Sequence, residues 1–251
     1  VFREEQGETF RDWLMSRLIV EMPHLNPNLG TGDAYTQRIA NLIYDSLLER
    51  DNATLEYIPR LAESYEVSPD HLTYTFHLRH DVKFSDGEPL TADDVKFTFD
   101  KIMDPAVDAA DLRNYFLNID RCEAPDDYTV VFICKEPYFK TLSSVADMLV
   151  LPRHIFETGD FNTHPNNRHP IGSGRFVLEK WETNQQVVLA RNPLYWGEKP
   201  HLEKLVYKII TDDNAALQVL EQGGLDVMGF SADQWVMRTR HPAFDEKFDR
   251  Y

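Results

Sequence analysis

Residues 72–103 change their apolar spacing across a single turn, and few architectures accommodate that change. Leu72, Tyr74, Phe76 and Leu78 alternate with Thr73, Thr75, His77 and Arg79, the period-two pattern of a strand buried on one face. After the turn at Asp86-Gly87-Glu88-Pro89, Thr91 and Asp94 stand at capping-box spacing, and Val95, Phe99 and Ile102 share one helical face up to about Met103. A strand and a helix that are each apolar on one side must bury those sides against other elements, so the chain belongs to a layered mixed α/β (α+β) class.

The flanking segments extend the pattern. Arg17-Leu18-Ile19-Val20 reads as a short buried strand, followed by a Pro-, Asn- and Gly-rich loop from Pro23 to Gly32. Tyr35, Ile39, Leu42, Ile43, Ser46 and Leu47 recur at helical spacing over residues 34–49, with Thr31 or Asp33 placed to cap the helix. Residues 128–134 form an apolar strand, and Pro137–Asp147 reads as a helix with its proline in the first turn. Residues 159–170 lack periodicity and read as a loop. Arg175–Trp181 and Gln186–Arg191 read as a hairpin, and Leu202–Thr211 as a strand. A helix starting at Asp213 and ending at Gly223 then leads into a strand at Leu225–Met228, which suggests a parallel crossover.

At 251 residues the chain can bury a core without metal or disulfide staples. Its 26 basic and 42 acidic residues give a net charge of −16; that field repels phosphate backbones and anionic lipid, so no nucleic acid partner is expected. No apolar stretch approaches the roughly 18–20 residues that span a bilayer. The start Val1-Phe2-Arg3-Glu4-Glu5 is unlike a signal peptide, which a mature secreted chain would have lost. Two cysteines, Cys122 and Cys134, fit neither a redox CxxC motif nor a zinc site. With a hairpin turn at Ala124–Asp127, alternation places them on opposite faces, so no bridge between them is expected.

Motifs for chemistry are sparse. The phosphate loop GxxxxGK[ST], the GxGxxG fingerprint and HExxH are all missing. Gly172-Ser173-Gly174 lacks the spacing of a nucleophile elbow, so Ser173 as a nucleophile served by a loop histidine is the weaker reading and a tight turn the stronger. His154, His164 and His169 with Asn166 and Asn167 lack a nearby carboxylate to orient them as metal ligands. Asp86, Glu88, Asp93 and Asp94 lack the order of a calcium loop. Trp181, Tyr195, Trp196 and Trp235 are aromatic enough to stack on a ligand but equally suited to core contacts. No catalytic residue, metal or cofactor is expected.

Several stretches in order along residues 18–240 resemble the family 5 extracellular solute-binding proteins, the peptide, dipeptide and nickel receptors of ABC importers. They are Leu25-Asn26-Pro27, Ile43–Leu48, Pro59–Tyr65, Tyr74–Arg79 with Val82–Phe99, Ile171–Phe176, Arg191–Trp196 and Leu220–Asp226. The block 74–99 is the most specific of them.

The resemblance implies a periplasmic-binding-protein-like type II lobe with an inserted smaller α+β subdomain, lacking the second lobe of a receptor about twice as long. The expected division is residues 1–50 and 165–240 as the ligand-facing domain, 51–164 as the inserted subdomain, and 241–251 as the start of the crossover to the absent lobe. The family's ligand loop maps onto Gly30, Thr31, Gly32 and Asp33, with Asp111 and Leu112 bordering the cleft. A Gly-rich loop entering a helix suits this role, because it offers backbone N–H groups and a positive dipole end. The resemblance further implies a monomeric, non-catalytic, periplasmic or extracellular receptor that hands peptides or small solutes to ABC transporter membrane subunits. A lipid anchor on the full-length protein stays open, as does a ligand-sensing or structural role within a larger protein.

Overall fold

The computed structural model describes residues 12–30 and 34–240, together with Phe244 and Phe248. In chain order the elements are β1 (Trp13–Leu18), α1 (Ala34–Ile43), β2 (Leu48–Arg50), β3 (Tyr57–Pro59), β4 (Ala62–Val67), β5 (Thr73–Leu78), α2 (Ala92–Met103) and α3 (Ala110–Arg113). They continue with β6 (Ile119–Asp126), β7 (Thr129–Cys134), α4 (Thr141–Ala146), α5 (Arg153–Phe156), β8 (Phe176–Glu182), β9 (Gln186–Arg191), β10 (Lys204–Ile209), α6 (Asp213–Glu221) and α7 (Ala232–Met237). Contacts divide the chain into a larger unit, residues 22–178 with 191–200, and a smaller one, residues 1–21, 179–190 and 201–251.

The larger unit is organised by an antiparallel sheet in the order β4-β5-β7-β6. Tyr74, Phe76 and Leu78 of β5 point into its core, as the alternation demands, and Val95, Phe99 and Ile102 of α2 meet them there. Phe132 sits edge-on to both Phe76 and Phe99, with ring centres 5.9 and 5.7 Å away. Each such aromatic contributes a few kcal/mol, about 1.5–3, through burial alone. The α2 capping box forms as read: the Thr91 N–H donates to Asp94 Oδ2 at 2.9 Å.

The smaller unit holds a sheet in the order β1-β10-β9-β8, with β1 parallel to β10 from Trp13↔Lys204 to Leu18↔Ile209. Asn184, at φ 59°, turns the β8–β9 hairpin. The helix α6 is capped by Asp212, which accepts the Ala215 N–H at 2.7 Å, and is followed by Gly223 at φ 77°. Beyond it Val227 bridges Ser16 in parallel sense, so the late crossover exists, but the expected strand 225–228 is reduced to that one bridge. There the Asp226 side chain takes up the Met15 N–H at 2.7 Å in place of further strand pairing.

Other expectations need correction. The first strand runs Trp13–Leu18 and not 17–20; its partner β10 ends at Ile209, leaving Ile19 and Val20 exposed. Helix α1 stops at Ile43 because Asp45 and Ser46 pair with the 149–150 segment, the Val150 N–H donating to Asp45 O at 3.0 Å. The expected helix 137–147 shrinks to Thr141–Ala146, preceded by a turn in which the Thr141 N–H reaches Tyr138 O. Residues 159–170 contain two single 3₁₀ turns, Phe161–Thr163 and Pro165–Asn167.

Cys122 pairs with Phe132 and Cys134 with Ile119, and both thiols lie in the same core, so the expected opposite faces are wrong. The hairpin turn falls later, at Asp126–Thr129, and a register irregularity between Glu123 and Asp126 moves the alternation. Both thiols are free. The expected domain boundaries at 50/51 and 164/165 fall inside the larger contact unit. Leu47 and Leu48 share the core of β5 and α2, and Gly174 hydrogen-bonds Ile43 O at 2.8 Å.

Candidate functional site

The loop 23–30 joins no helix or sheet, and asparagine side chains with two backbone bonds hold it. The Asn28 N–H donates to Asn26 Oδ1 at 2.9 Å, and Asn28 Nδ2 donates to Leu149 O at 3.1 Å. Asn26 Nδ2 donates to Asn167 Oδ1 at 2.9 Å, while the Leu25 N–H donates to Asn167 O at 2.7 Å. All three asparagines are buried. The loop ends with the Gly30 N–H donating to Asp108 O.

Asp108 belongs to the turn that follows α2. Arg113 holds that turn: its Nε donates to Ile102 O at 2.8 Å, and its Nη2 donates to Asp104 O at 2.6 Å and Val107 O at 2.8 Å, satisfying carbonyls at the helix end. The Asp108 N–H donates to Asn162 Oδ1 at 2.8 Å, and Asn162 Nδ2 donates to Ala106 O at 2.9 Å. Asn167 Nδ2 then donates to Phe161 O at 2.9 Å. The three segments 25–30, 104–108 and 161–167 therefore form a closed ring of hydrogen bonds.

The structure thus brings Gly30 beside the segment that leads into Asp111 and Leu112. Asp111 is exposed on α3, and Leu112 packs half-buried against the core. The Gly30 N–H is committed to Asp108 and is not open to a ligand. A Cβ at Gly30 would lie 3.0 Å from Asp108 O, so the close approach itself favours glycine. Thr31, Gly32 and Asp33, and with them the expected helix cap, lie outside the described residues.

A second centre was not legible from the sequence. Asp45 is fully buried and accepts from Arg60 Nε at 2.9 Å and from Arg60 Nη2; its Oδ2 accepts from Ser173 Oγ at 3.1 Å and Trp196 Nε1 at 3.0 Å. Arg60 also pairs with Glu49, which Arg175 meets at 3.3 Å, and Arg79 lies 4.7 Å from the Trp196 ring centre. Burial alone would lower the Arg60 pKa, but Asp45, with Tyr195 and Glu49, outweighs it and holds the guanidinium above its ordinary value. Four stretches that carry the family resemblance, 43–48, 59–65, 171–176 and 191–196, meet here. The available signal was one carboxylate, Asp45, within the largely apolar stretch Ile43–Leu48.

The remaining candidates have structural partners. Ser173 is buried and donates to Asp45, so the geometry gives it no histidine base. His154 Nε2 lies 2.8 Å from Asp86 Oδ2, and His164 Nδ1 accepts the Asn166 N–H at 3.2 Å. Asp93 pairs with Arg153, and Asp94 caps α2. Among the described residues no group of three or more His, Cys, Asp or Glu is placed to hold a metal ion, and no helix is long and apolar enough to cross a membrane. Trp181 donates to Glu21 at 2.8 Å, and the Tyr195 hydroxyl is met by Arg175 at 3.3 Å.

Comparison with known proteins places these features in a family context. The model of bacterial extracellular solute-binding proteins, family 5 (middle) matches residues 56–249. A putative ABC transporter peptide-binding protein of Brucella melitensis is 37% identical over 207 residues, covering 76% of this chain and 37% of that protein. NikZ from Campylobacter jejuni, solved with Ni(L-His), superposes with a TM-score of 0.82 at 27% identity, over 90% of this chain and 45% of that one. The oligopeptide-binding protein AppA from Bacillus subtilis, solved with a nonapeptide, gives a TM-score of 0.81 at 29% identity, over 89% and 45%. The chain spans less than half the length of each of these relatives.

Proposed function

The chain belongs to the family 5 bacterial extracellular solute-binding proteins, and we propose that it forms the first-lobe part of a non-catalytic receptor that captures peptides for an ABC importer. What carries the reading is the extent of the likeness to a nonapeptide-bound receptor, 89% of this chain. The ligand-facing residues are Gly30, Thr31, Gly32 and Asp33, which precede α1 in sequence, with Asp111 and Leu112 on α3. Their setting supports the assignment: the Gly30 N–H bonds the segment that carries Asp111 and Leu112. Ligand contact is assigned to residues 1–50 and 165–240 and the inserted subdomain to 51–164, a division by function and not by packing.

In this reading a second lobe closes on the ligand by hinge motion, and the closed form is what the membrane subunits recognise. Backbone contacts to an extended peptide give tolerance of side-chain sequence. The receptor works as a monomer outside the cytoplasmic membrane, held by a lipid on the full-length protein or free. A second reading, capture of a chelated nickel ion, is favoured by the NikZ likeness; the metal complex is then cargo.

Thermal unfolding tests the proposal, with this chain and the full-length protein measured side by side, each alone, with pooled di- to pentapeptides, and with nickel–histidine. Ligand at 100 times its Kd stabilises the competent form by about 2.7 kcal/mol. A shift with peptides in the full-length protein supports peptide capture. A shift with nickel–histidine alone moves the assignment to the second reading, and no shift with either overturns both.

A further inference from the structure

We infer that Asn162 is a positioning residue for the ligand-facing loop, acting through Asp108 and Gly30; this rests on the receptor reading above. Residues 159–170 show no periodicity, yet the Asn162 side chain ties them to the turn at 106–108. Its Oδ1 accepts the Asp108 N–H at 2.8 Å and its Nδ2 donates to Ala106 O at 2.9 Å, so one amide fixes both sides of the turn after α2. Asp108 O in turn accepts the Gly30 N–H.

Asn162 is itself held. Its own N–H donates to Asp160 Oδ1 at 3.0 Å, its carbonyl accepts from Asn167 Nδ2 at 3.3 Å, and Asn167 is locked to Leu25 and Asn26. The ring closes on Gly30 from both directions, through Asn167 to the start of the loop and through Asn162 and Asp108 to its end. Asn162 is exposed, whereas Asn26, Asn28 and Asn167 are buried. Its loss therefore leaves no buried amide unpaired and frees the Asp108 turn while the core stays packed. An exposed asparagine with both side-chain polar atoms spent on one turn, which ends two residues before α3, sets where Gly30, Asp111 and Leu112 stand relative to one another. Affinity depends on that placement, because a preordered loop spares the ligand the cost of ordering it.

The test uses the full-length protein and two variants. Asn162→Ala removes both bonds, while Asn162→Asp keeps an acceptor for the Asp108 N–H and loses the donor to Ala106. Amide hydrogen exchange without ligand reads the Gly30 and Asp108 N–H groups, and calorimetry with the di- to pentapeptide pool reads affinity. Asn162→Ala is expected to speed exchange at both amides about tenfold and weaken binding about tenfold, with the unfolding midpoint of the free protein nearly unchanged. Asn162→Asp is expected to restore most of the protection at Asp108 and part of the affinity. Unchanged exchange in Asn162→Ala overturns the inference whatever the ligand does. Faster exchange with unchanged affinity reduces Asn162 to a structural tie and overturns it too. If the unmutated protein binds no peptide, the receptor reading fails first, and exchange still reports separately whether Asn162 orders Gly30.

Discussion

The indole N–H of Trp196 donates to Asp45 Oδ2 at 3.0 Å, across 151 residues of sequence. The same oxygen accepts the Ser173 hydroxyl, and the other oxygen takes the Arg60 guanidinium. Asp45 is thus where segments distant in the chain are brought into register, and its charge is compensated within the protein interior.

Removing that carboxylate should be costly. Asp45→Ala leaves Arg60 buried without its main counter-charge, and breaking such a pair from one side costs about 3–5 kcal/mol. Ser173→Ala removes one neutral donor from the same oxygen and should cost about 1 kcal/mol. Urea unfolding of the two variants beside the parent checks both. Equal small losses would mean that the existing pair with Glu49 is enough to compensate Arg60. Ser173→Ala also bears on hydrolysis: any turnover present in the parent should survive it.

Gly172 and Gly174 should tolerate no side chain. A Cβ at Gly172 would stand 2.8 Å from the carbonyl carbon of Ile43, and one at Gly174 2.6 Å from the same atom and from Leu42 O. These neighbours are backbone, so the end of α1 must move, at an overpacking cost of about 1–3 kcal/mol or more. Alanine at either position should lower the unfolding midpoint. An unchanged midpoint would show that the turn 171–175 can draw away from Ile43.

Two aspartates should titrate on opposite sides of the ordinary value of 3.8. Burial pushes Asp94 up, against the pull of the Thr91 and Arg153 N–H groups. The Thr54 N–H, the Thr54 hydroxyl and the Ala53 N–H pull exposed Asp51 down. For Asp94 the unfolded chain ionises first, so its contribution to stability falls as pH rises from about 3.8 through the folded value. For Asp51 the contribution is present above the unfolded value and is lost as pH falls through the folded one. Carboxyl-carbon NMR titration should place the Asp94 midpoint above that of Asp51; the reverse order would remove burial as the governing term at Asp94.

Neither cysteine should react while the chain is folded. Burial pushes both the Cys122 and Cys134 thiols above their ordinary value, which suppresses the thiolate as well as access to it. A thiol reagent should label both only as fast as the protein opens, and both promptly in denaturant. Rapid labelling of Cys134 in native buffer would show that the edge between β7 and the turn before α4 opens locally.

What the sequence made legible was local. The alternation at 72–79, the Thr91–Asp94 cap and the Asp212–Gly223 helix each depend on residues within one or two turns of each other. What it hid was either long-range or shifted by one residue. Asp45 needs partners at 60, 173 and 196, and Asn162 needs 106 and 108, so neither role leaves a periodic trace. The cysteines went to one face because an irregularity near Ala124 shifts the alternation that had placed them on two. Likewise, an apolar run such as Leu225–Met228 extends only as far as its neighbour allows, and there Asp226 takes the bond to Met15 instead.

Gly30 offers the most direct probe of the loop proposed to face the ligand. Its backbone shows no positive φ, so alanine introduces no conformational strain. What alanine does introduce is a methyl group 3.0 Å from Asp108 O and 3.3 Å from Asp108 Oδ1. The carboxylate end can swing aside, but the carbonyl cannot without moving the turn that Asn162 and Arg113 hold. The loop should therefore be displaced by a few tenths of an ångström, at a stability cost within about 1 kcal/mol. Gly30→Ala should then weaken peptide binding severalfold in the full-length protein, and Gly30→Leu more, with both variants keeping near-parental unfolding midpoints without ligand. Calorimetric titration beside thermal unfolding separates the two effects. Parental affinity in Gly30→Leu would show that the ligand does not touch this part of the loop and would return the assignment to Asp111 and Leu112.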